Sequence, residues 1–361
     1  MLTALFVIAP GGARQAVALS TLRTPELQER ARADANTWVK SLRLVSYEGR
    51  TMRERFTFRD DSLWWFTEIY LHKMRRLDDA VETVRILDAA VSALAPARLA
   101  ASCSSRASAA AARAFAQARG LPIDIEETVQ TPRRRVDLGL LVGVSAWLSR
   151  LRRAPLPPAG PVRIAAFVHT AFWKPDPAGT GGRESYVGDV LDAVAARVAP
   201  ADLRLVGVGP RRTFRTRRWW DPVLPGSPRV VTPVEQFAPR SALRESLSLW
   251  RNRDALATAA TQGDGIRDAA RYDGCDLWPI LSAELADAAR IQWTWSARAM
   301  DEARAALLRL EPDVVVTYAE AGGWGRALIL EARRLGIPTV ALQHGFIYRH
   351  WLNYRHEADE L

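Results

Sequence analysis

Glu320 and His344 each stand beside glycines, in the segments AEAGGWG and LQHG. A carboxylate and an imidazole can take up, give back or share protons, or anchor a ligand by hydrogen bonds, when their surroundings tune them. Gly322, Gly323 and Gly325 on one side, and Gln343 with Gly345 on the other, would let the backbone approach that ligand closely. A second group lies in VHTAFWKPDPAGTGGRESYVGDVL, where His169, Arg183 and Glu184 surround Gly181 and Gly182. A glycine-rich loop that runs from a strand into a helix turns backbone N–H groups towards a ligand, and the helix N-terminus favours anions. The pattern is neither GxGxxG nor a P-loop, and a plain connection with a helix-capping glutamate is the competing reading. A third group, GVGPRRTFRTRRWWDP, sets Arg211, Arg212, Arg215, Arg217 and Arg218 around Phe214 and before Trp219 and Trp220. Guanidinium groups pair with phosphates and aromatic faces stack on sugars or bases. Such a loop suits a phosphate-bearing substrate, a lipid headgroup surface or single-stranded nucleic acid; a solvated loop with its tryptophans turned inward competes with all three. His344, His350 and His356 recur every six residues, which does not suit one helical face, so no metal site is expected.

Strands must end where these residues stand. Val314 to Val316 and Thr339 to Leu342 are short apolar runs of the kind a strand buried on both faces requires. Trp324 to Leu335 has helical spacing between them, and Gly336 with Pro338 supplies a stop. A crossover of that form makes the two strands parallel and brings Glu320 and His344 out on one edge of the sheet. Ligands of open α/β sheets bind at that carboxyl edge. Further strands are expected at Val162 to Val168, Leu203 to Val208 and Arg229 to Thr232, and further helices at Tyr186 to Val198 and Pro279 to Leu310. The segment from Phe237 to Gly274 reads as helix and loop. This alternation predicts a mainly parallel, doubly wound α/β sheet.

The proline-rich segment APLPPAGP, residues 154–161, divides the chain into an N-terminal α/β domain over 1–153 and the doubly wound domain over 162–361. The N-terminal part, expected to be the smaller, carries strands at Leu5 to Ile8, before a Gly-Gly turn, and at Leu42 to Tyr47. A long helix follows over Ser62 to Leu94, with Asp60, Asp61 and Ser62 as caps and an apolar stripe through Tyr70, Met74, Leu77, Val81, Val84 and Val91. An alanine-rich helix over Arg106 to Arg119 and a strand over Ile123 to Val129 complete it. With 361 residues, 48% hydrophobic and 25% charged, the chain has the composition of a globular protein with a large core. Its net charge of +10 rests almost wholly on arginine, since Lys40, Lys73 and Lys174 are the only lysines. That balance suits anionic partners or reflects codon usage. Cys103 and Cys275 have neither disulfide-framework nor zinc spacing and fit a reducing compartment. No apolar run reaches the roughly 18 to 20 residues of a membrane span. The expected location is cytoplasmic, with peripheral contact at the inner membrane left open.

The succession of PDVVV, an acidic glycine-rich turn, a helix and IPTVALQHG, after an earlier strand with a GGRES loop, resembles the N-terminal Rossmann domain of GT-B glycosyltransferase-like proteins. It is similar to the group that includes capsule and surface-polysaccharide synthesis proteins, polyol-phosphate transferases and sugar-nucleotide 2-epimerases. The resemblance covers about Val162 to Gly345. It implies an acceptor-binding domain whose base matches Glu184 or His169, with Glu320 and His344 lining the cleft. It further implies metal-independent inverting transfer from a nucleotide-activated sugar, used as substrate rather than cofactor, to a sugar or lipid-linked saccharide. The family's donor domain should begin near the last residues of this chain, so a partial protein is expected. A non-catalytic α/β module that binds an anionic metabolite or a membrane surface is the alternative. Nucleic acid is not an expected partner, since no RNA-binding motif is present.

Overall fold

The computed structural model describes residues 1–128, 158–169, 172–175, 182–208, 231–263, 265–318, 320, 322–343, 345, 347 and 349–360. The chain forms two units. The first comprises Met1–Leu138, Asn252–Trp293 and Tyr348–Leu361, and the second Gly139–Arg251 and Thr294–Ile347. A single cut at the proline-rich segment therefore does not separate them, and the first unit is the larger rather than the smaller. The reason is visible in side-chain partners. Trp38 Nε1 donates to the Ala269 carbonyl (2.7 Å), the Tyr47 hydroxyl to that of Ala260 (2.8 Å), the Tyr272 hydroxyl to Asp34 (2.7 Å) and Trp293 Nε1 to Thr67 Oγ1 (2.7 Å). These bonds hold residues 252–293 to the N-terminal segment.

In the first unit, β1 (Leu2–Ile8) turns through Gly11 and Gly12 into β2 (Arg14–Val17). Gly12 takes φ +82°, which glycine adopts without steric cost. Helix α1 (Pro25–Ser41) begins with Pro25 in its first turn and Thr24 Oγ1 accepting from the Leu27 amide at 3.2 Å. The strand expected over Leu42 to Tyr47 is instead a 3-10 turn over Leu42–Leu44 that prolongs α1, followed by a two-residue strand at Ser46–Tyr47. The long helix expected from Ser62 is two helices, α2 (Trp64–Met74) and α3 (Arg76–Leu94), separated at Arg75, whose φ is +53°. A left-handed residue cannot continue a helix, and past this break the apolar stripe changes phase, so Met74 is exposed while Leu77, Val81 and Val84 are buried. Ser62 does help to start α2, accepting from the Trp64 amide at 3.2 Å. Strand β3 (Arg98–Cys103), helix α4 (Arg106–Ala118) and strand β4 (Ile123–Glu127) form a parallel βαβ unit. The sheet order is β2-β1-β3-β4. Trp64, Phe66, Phe115 and Trp293 are fully buried in this unit, and burial of side chains of this kind stabilises by roughly 1.5–3 kcal/mol each.

The second unit holds a five-stranded sheet with every pairing parallel: β5 (Ile164–His169), β8 (Leu203–Val208), β9 (Val231–Pro233), β10 (Val314–Tyr318) and β11 (Thr339–Leu342). The short strands β6 (Trp173–Pro175) and β7 (Gly182–Glu184) form a separate antiparallel pair. In sheet order the strands run β9-β8-β5-β10-β11. From β5 the chain moves to β8 in one direction, whereas from β10 it moves to β11 in the other. Right-handed crossovers then require helices on opposite faces. Helix α5 (Gly188–Ala195) sends Leu191 into a cluster with Ala166, Val168, Leu205 and Tyr318. Helices α6 (Thr294–Leu310) and α7 (Gly323–Arg334) send Leu307, Leu310 and Leu328 into the opposite cluster with Ala165, Phe167, Val206 and Val315. The sheet is thus mixed α/β, parallel and doubly wound as expected.

Two details differ. The helix expected over Pro279 to Leu310 starts at Trp278 but is interrupted by a π-helical turn at Ala288–Trp293. Strand β11 is not buried on both faces: Thr339, Val340 and Ala341 are exposed, Val340 at 45%, because β11 is the last strand of the sheet and nothing among the described residues pairs with its outer edge. Gly336 ends α7 at φ +69°, with its amide on the Arg333 carbonyl and that of Ile337 on Ala332. Among the described residues no helix is long and apolar enough to cross a membrane.

Candidate functional site

The strand order reverses at β5 and β10, and the crevice beyond the carboxyl ends of two such strands is where open α/β sheets take ligands. His169 ends β5 and Tyr318 ends β10. Their ends are tied together, since the His169 amide donates to the Tyr318 hydroxyl at 2.7 Å. Tyr318 is 4% exposed, and burial first, then the charge of Glu184, push its phenol well above the usual tyrosine range, so it stays protonated.

Glu184 arrives from the other side. The loop after β5 is not a simple glycine-rich turn: Trp173 pairs with Glu184 and Pro175 with Gly182 across the β6–β7 pair. Ser185 then folds back, its amide (2.8 Å) and its hydroxyl (2.7 Å) both donating to the Phe172 carbonyl. This places the Glu184 carboxylate under the start of α5. Oε2 accepts from the Tyr186 amide at 2.7 Å and also from the Val187 amide. Glu184 is 3% exposed, and the Tyr318 phenol lies close enough to its carboxyl group to interact with it both by charge and by hydrogen bonding. Both amides precede Gly188, the first residue of α5, and no side chain among the described residues caps that helix, so Glu184 braces the turn that leads into it.

Aromatic rings gather at these strand ends. Phe172 lies 5.2 Å from the His169 ring and packs edge-on against Tyr186 at 4.7 Å, with an interplanar angle of 83°. Tyr186 lies 6.4 Å from Tyr318 and is itself 50% exposed. Half-buried His169 and Phe172 and exposed Tyr186 are thus the members of this group that reach the surface, whereas Glu184 and Tyr318 are buried.

Beside this cluster, Glu320 follows β10 and is half-buried; Gly322 is the N-cap residue of α7 and Gly323 its first residue, with no side-chain cap among the described residues. Because β10 and β11 are neighbours in register, with Tyr318 opposite Leu342, the chain beyond each leaves on the same edge of the sheet. There Gln343 turns its side chain onto the carbonyl of Gly345 at 2.5 Å. His344, Gly181, Arg211 and Arg212 lie outside the described residues, and Arg183 is described for its backbone alone, in β7. Sequence reasoning missed Phe172, Tyr186 and Tyr318. The signal for Tyr318 was present: it continues the alternation Val314, Val316, Tyr318 and stands at the end of the strand, directly before the acidic glycine-rich turn. Comparison with protein-family models, with curated proteins and with solved structures returned no match.

Proposed function

We propose that this chain is a glycosyltransferase-like protein of cell-surface polysaccharide assembly, and that the crevice at the ends of β5 and β10 holds the acceptor of a transfer from a nucleotide-activated sugar. The observation that carries the reading is the placement of His169 and Tyr318 at the ends of the two strands where the sheet order reverses. His169 takes the role of base, because its imidazole reaches the surface whereas both oxygens of Glu184 are buried or engaged. In this scheme the His169 imidazole accepts the proton of an acceptor hydroxyl, that oxygen bonds to the anomeric carbon of the donor, and the bond from that carbon to the phosphate oxygen breaks. The nucleotide leaves with the electron pair of that bond. Glu184 and Tyr318 hold the floor of the crevice in place. The residues named here serve the acceptor half of the reaction.

The test is release of nucleotide from a panel of uridine, guanosine and cytidine diphosphate sugars with saccharide acceptors, for the full chain and for His169→Gln. Transfer should be seen with at least one donor and should fall by about 10²- to 10⁴-fold in the variant, the range for loss of a general base. Release from no donor would count heavily against the reading, and an unimpaired variant would remove His169 from it.

A further inference from the structure

Two of the places where the chain passes from one unit to the other lie in helical stretches, between Arg251 and Asn252 and between Trp293 and Thr294. Helical regularity fails at both. At the first, the helix Arg244–Arg251 stops and the helix Arg253–Thr261 starts, with Asn252 (φ −93°, ψ 8°) between them. At the second, the α-helical pattern of Trp278–Asp287 widens into the π-helical turn Ala288–Trp293 and returns with α6. In a π turn each hydrogen bond spans one residue more than in an α-helix, and such turns are rare and concentrate at functional sites. Where a helix changes between the two patterns, the part beyond turns relative to the part before, by about 100° per residue of shift.

Each unit grips its own side of these breaks. In the first unit, Trp293 is fully buried, with its indole N–H on Thr67 Oγ1 at 2.7 Å and its ring 4.9 Å from that of Phe56. Arg290 Nε donates to Asp254 Oδ1 at 2.9 Å, which ties the residues just after the first break to those just before the second. In the second unit, the ring of Trp295 meets that of Trp324 edge-on at 5.7 Å. There the Ser246 amide donates to buried Asp301 at 3.1 Å and ties the helix Arg244–Arg251 to α6. Residues two apart on a helix point to nearly opposite sides, so Trp293 and Trp295 can anchor in two different bodies. The two helical connections are thus cross-linked within each unit and irregular between the cross-links.

We infer that these two breaks form a paired hinge: the chain bends at Asn252 and through the π-helical turn Ala288–Trp293, with Trp293 and Trp295 as the pins on its two sides, so that the second unit, which carries His169 and Tyr318, turns on the first. Hinges take up their φ/ψ change in a few residues at element ends while the packed bodies stay rigid. The hinge does not depend on the transfer reading.

Double electron–electron resonance on the full chain would test it, with spin labels on Gln117→Cys and Arg333→Cys, exposed positions in the first and the second unit. Cys103 and Cys275 are fully buried and out of reach of the label. The distance distribution should be broad or double-peaked. Asn252→Ala, which favours one continuous helix, should narrow it about twofold. Arg290→Ala, which removes the tie to Asp254, should widen it. Both side chains are exposed, so neither change opens a core. Hydrogen–deuterium exchange gives an independent readout: amides of residues 289–294 should exchange about tenfold faster than those of 281–286 and 299–306, although Ala289 and Trp293 are fully buried. A distance distribution, narrow or broad, that neither variant alters would overturn the inference. So would exchange in the π-helical turn as slow as in the helices on both sides of it.

Discussion

Tyr318 joins two strand ends with one hydroxyl, so a change there reads out the architecture of the crevice. Tyr318→Phe keeps the ring packing but leaves the His169 amide without its 2.7 Å acceptor. An unsatisfied buried donor costs about 1–3 kcal/mol, and urea unfolding should register a loss of that size. Gly263 gives a second prediction at this scale. A Cβ there would come within 2.0 Å of the Tyr47 ring, which cannot swing aside without giving up its hydroxyl bond to Ala260. Gly263→Ala should therefore destabilise by about 1–3 kcal/mol, as overpacking does, and the double variant Gly263→Ala with Tyr47→Leu should recover part of that in the same denaturation measurement. The residue scale also shows why Glu184 was ambiguous in the sequence. A glutamate before a helix can be a base, a cap or a brace of the turn that precedes the helix, and the amides that reach its oxygen, those of Tyr186 and Val187, match the last of these.

At the scale of elements, the last described turn of the chain is held by an ion cluster. Lys40 Nζ, at the end of α1, lies 2.9 Å from Glu68 Oε2 and 3.0 Å from Glu360, with all three side chains at 3% exposure or less. Asp359 bonds Arg43, and Arg53 at 3.1 Å. Lys40→Met would leave Glu68 with the Trp64 indole N–H, and Glu360 with the Glu357 amide and Arg43, as remaining partners, and breaking a buried pair in this way costs about 3–5 kcal/mol. The pH dependence follows from Glu68, whose carboxyl is raised by burial, against the opposing pull of Lys40. A carboxyl raised in the folded state contributes stability that is complete below its unfolded pKa and is lost as pH rises through the folded one. Without Lys40 the folded value rises further, so the deficit of Lys40→Met should be largest near about pH 7 and shrink towards about pH 5 in urea titrations. A deficit constant across that range would contradict the assignment. Elements with strong local signals were legible: β8 and α7 were read within a residue or so, because a short apolar run rich in Leu and Val and a glycine stop at Gly336 act locally. The long helix over 62–94 failed at Arg75, since a left-handed arginine has no composition signal. The strand at 42–47 failed because the Thr24-Pro25-Glu26 start of α1 was overlooked, and Leu42 belongs to that helix's exit.

For the whole molecule, the decisive finding is that neither unit is one stretch of sequence. A chain cut after Leu138 lacks the Ala260 and Ala269 carbonyls that accept from Tyr47 and Trp38, and the Glu284 carboxylate beside Arg76. Such a fragment should fail to fold, showing no cooperative thermal transition by circular dichroism. The same cut rejoined to residues 252–293 and 348–361 through short linkers should restore one. No local signal announces that a segment returns to an earlier unit, which is why a proline-rich boundary suggested a single division. The parallel order of the second sheet, by contrast, followed from the alternation of strands and helices alone, and with it the edge on which ligands should bind. The most direct test of that placement is hydrogen–deuterium exchange of the full chain with and without saturating N-acetylglucosamine. Slowed exchange is expected over residues 164–169, 182–191 and 314–325, at the ends of β5 and β10 and the start of α5. Protection confined to the first unit, or no change in those three segments, would contradict it.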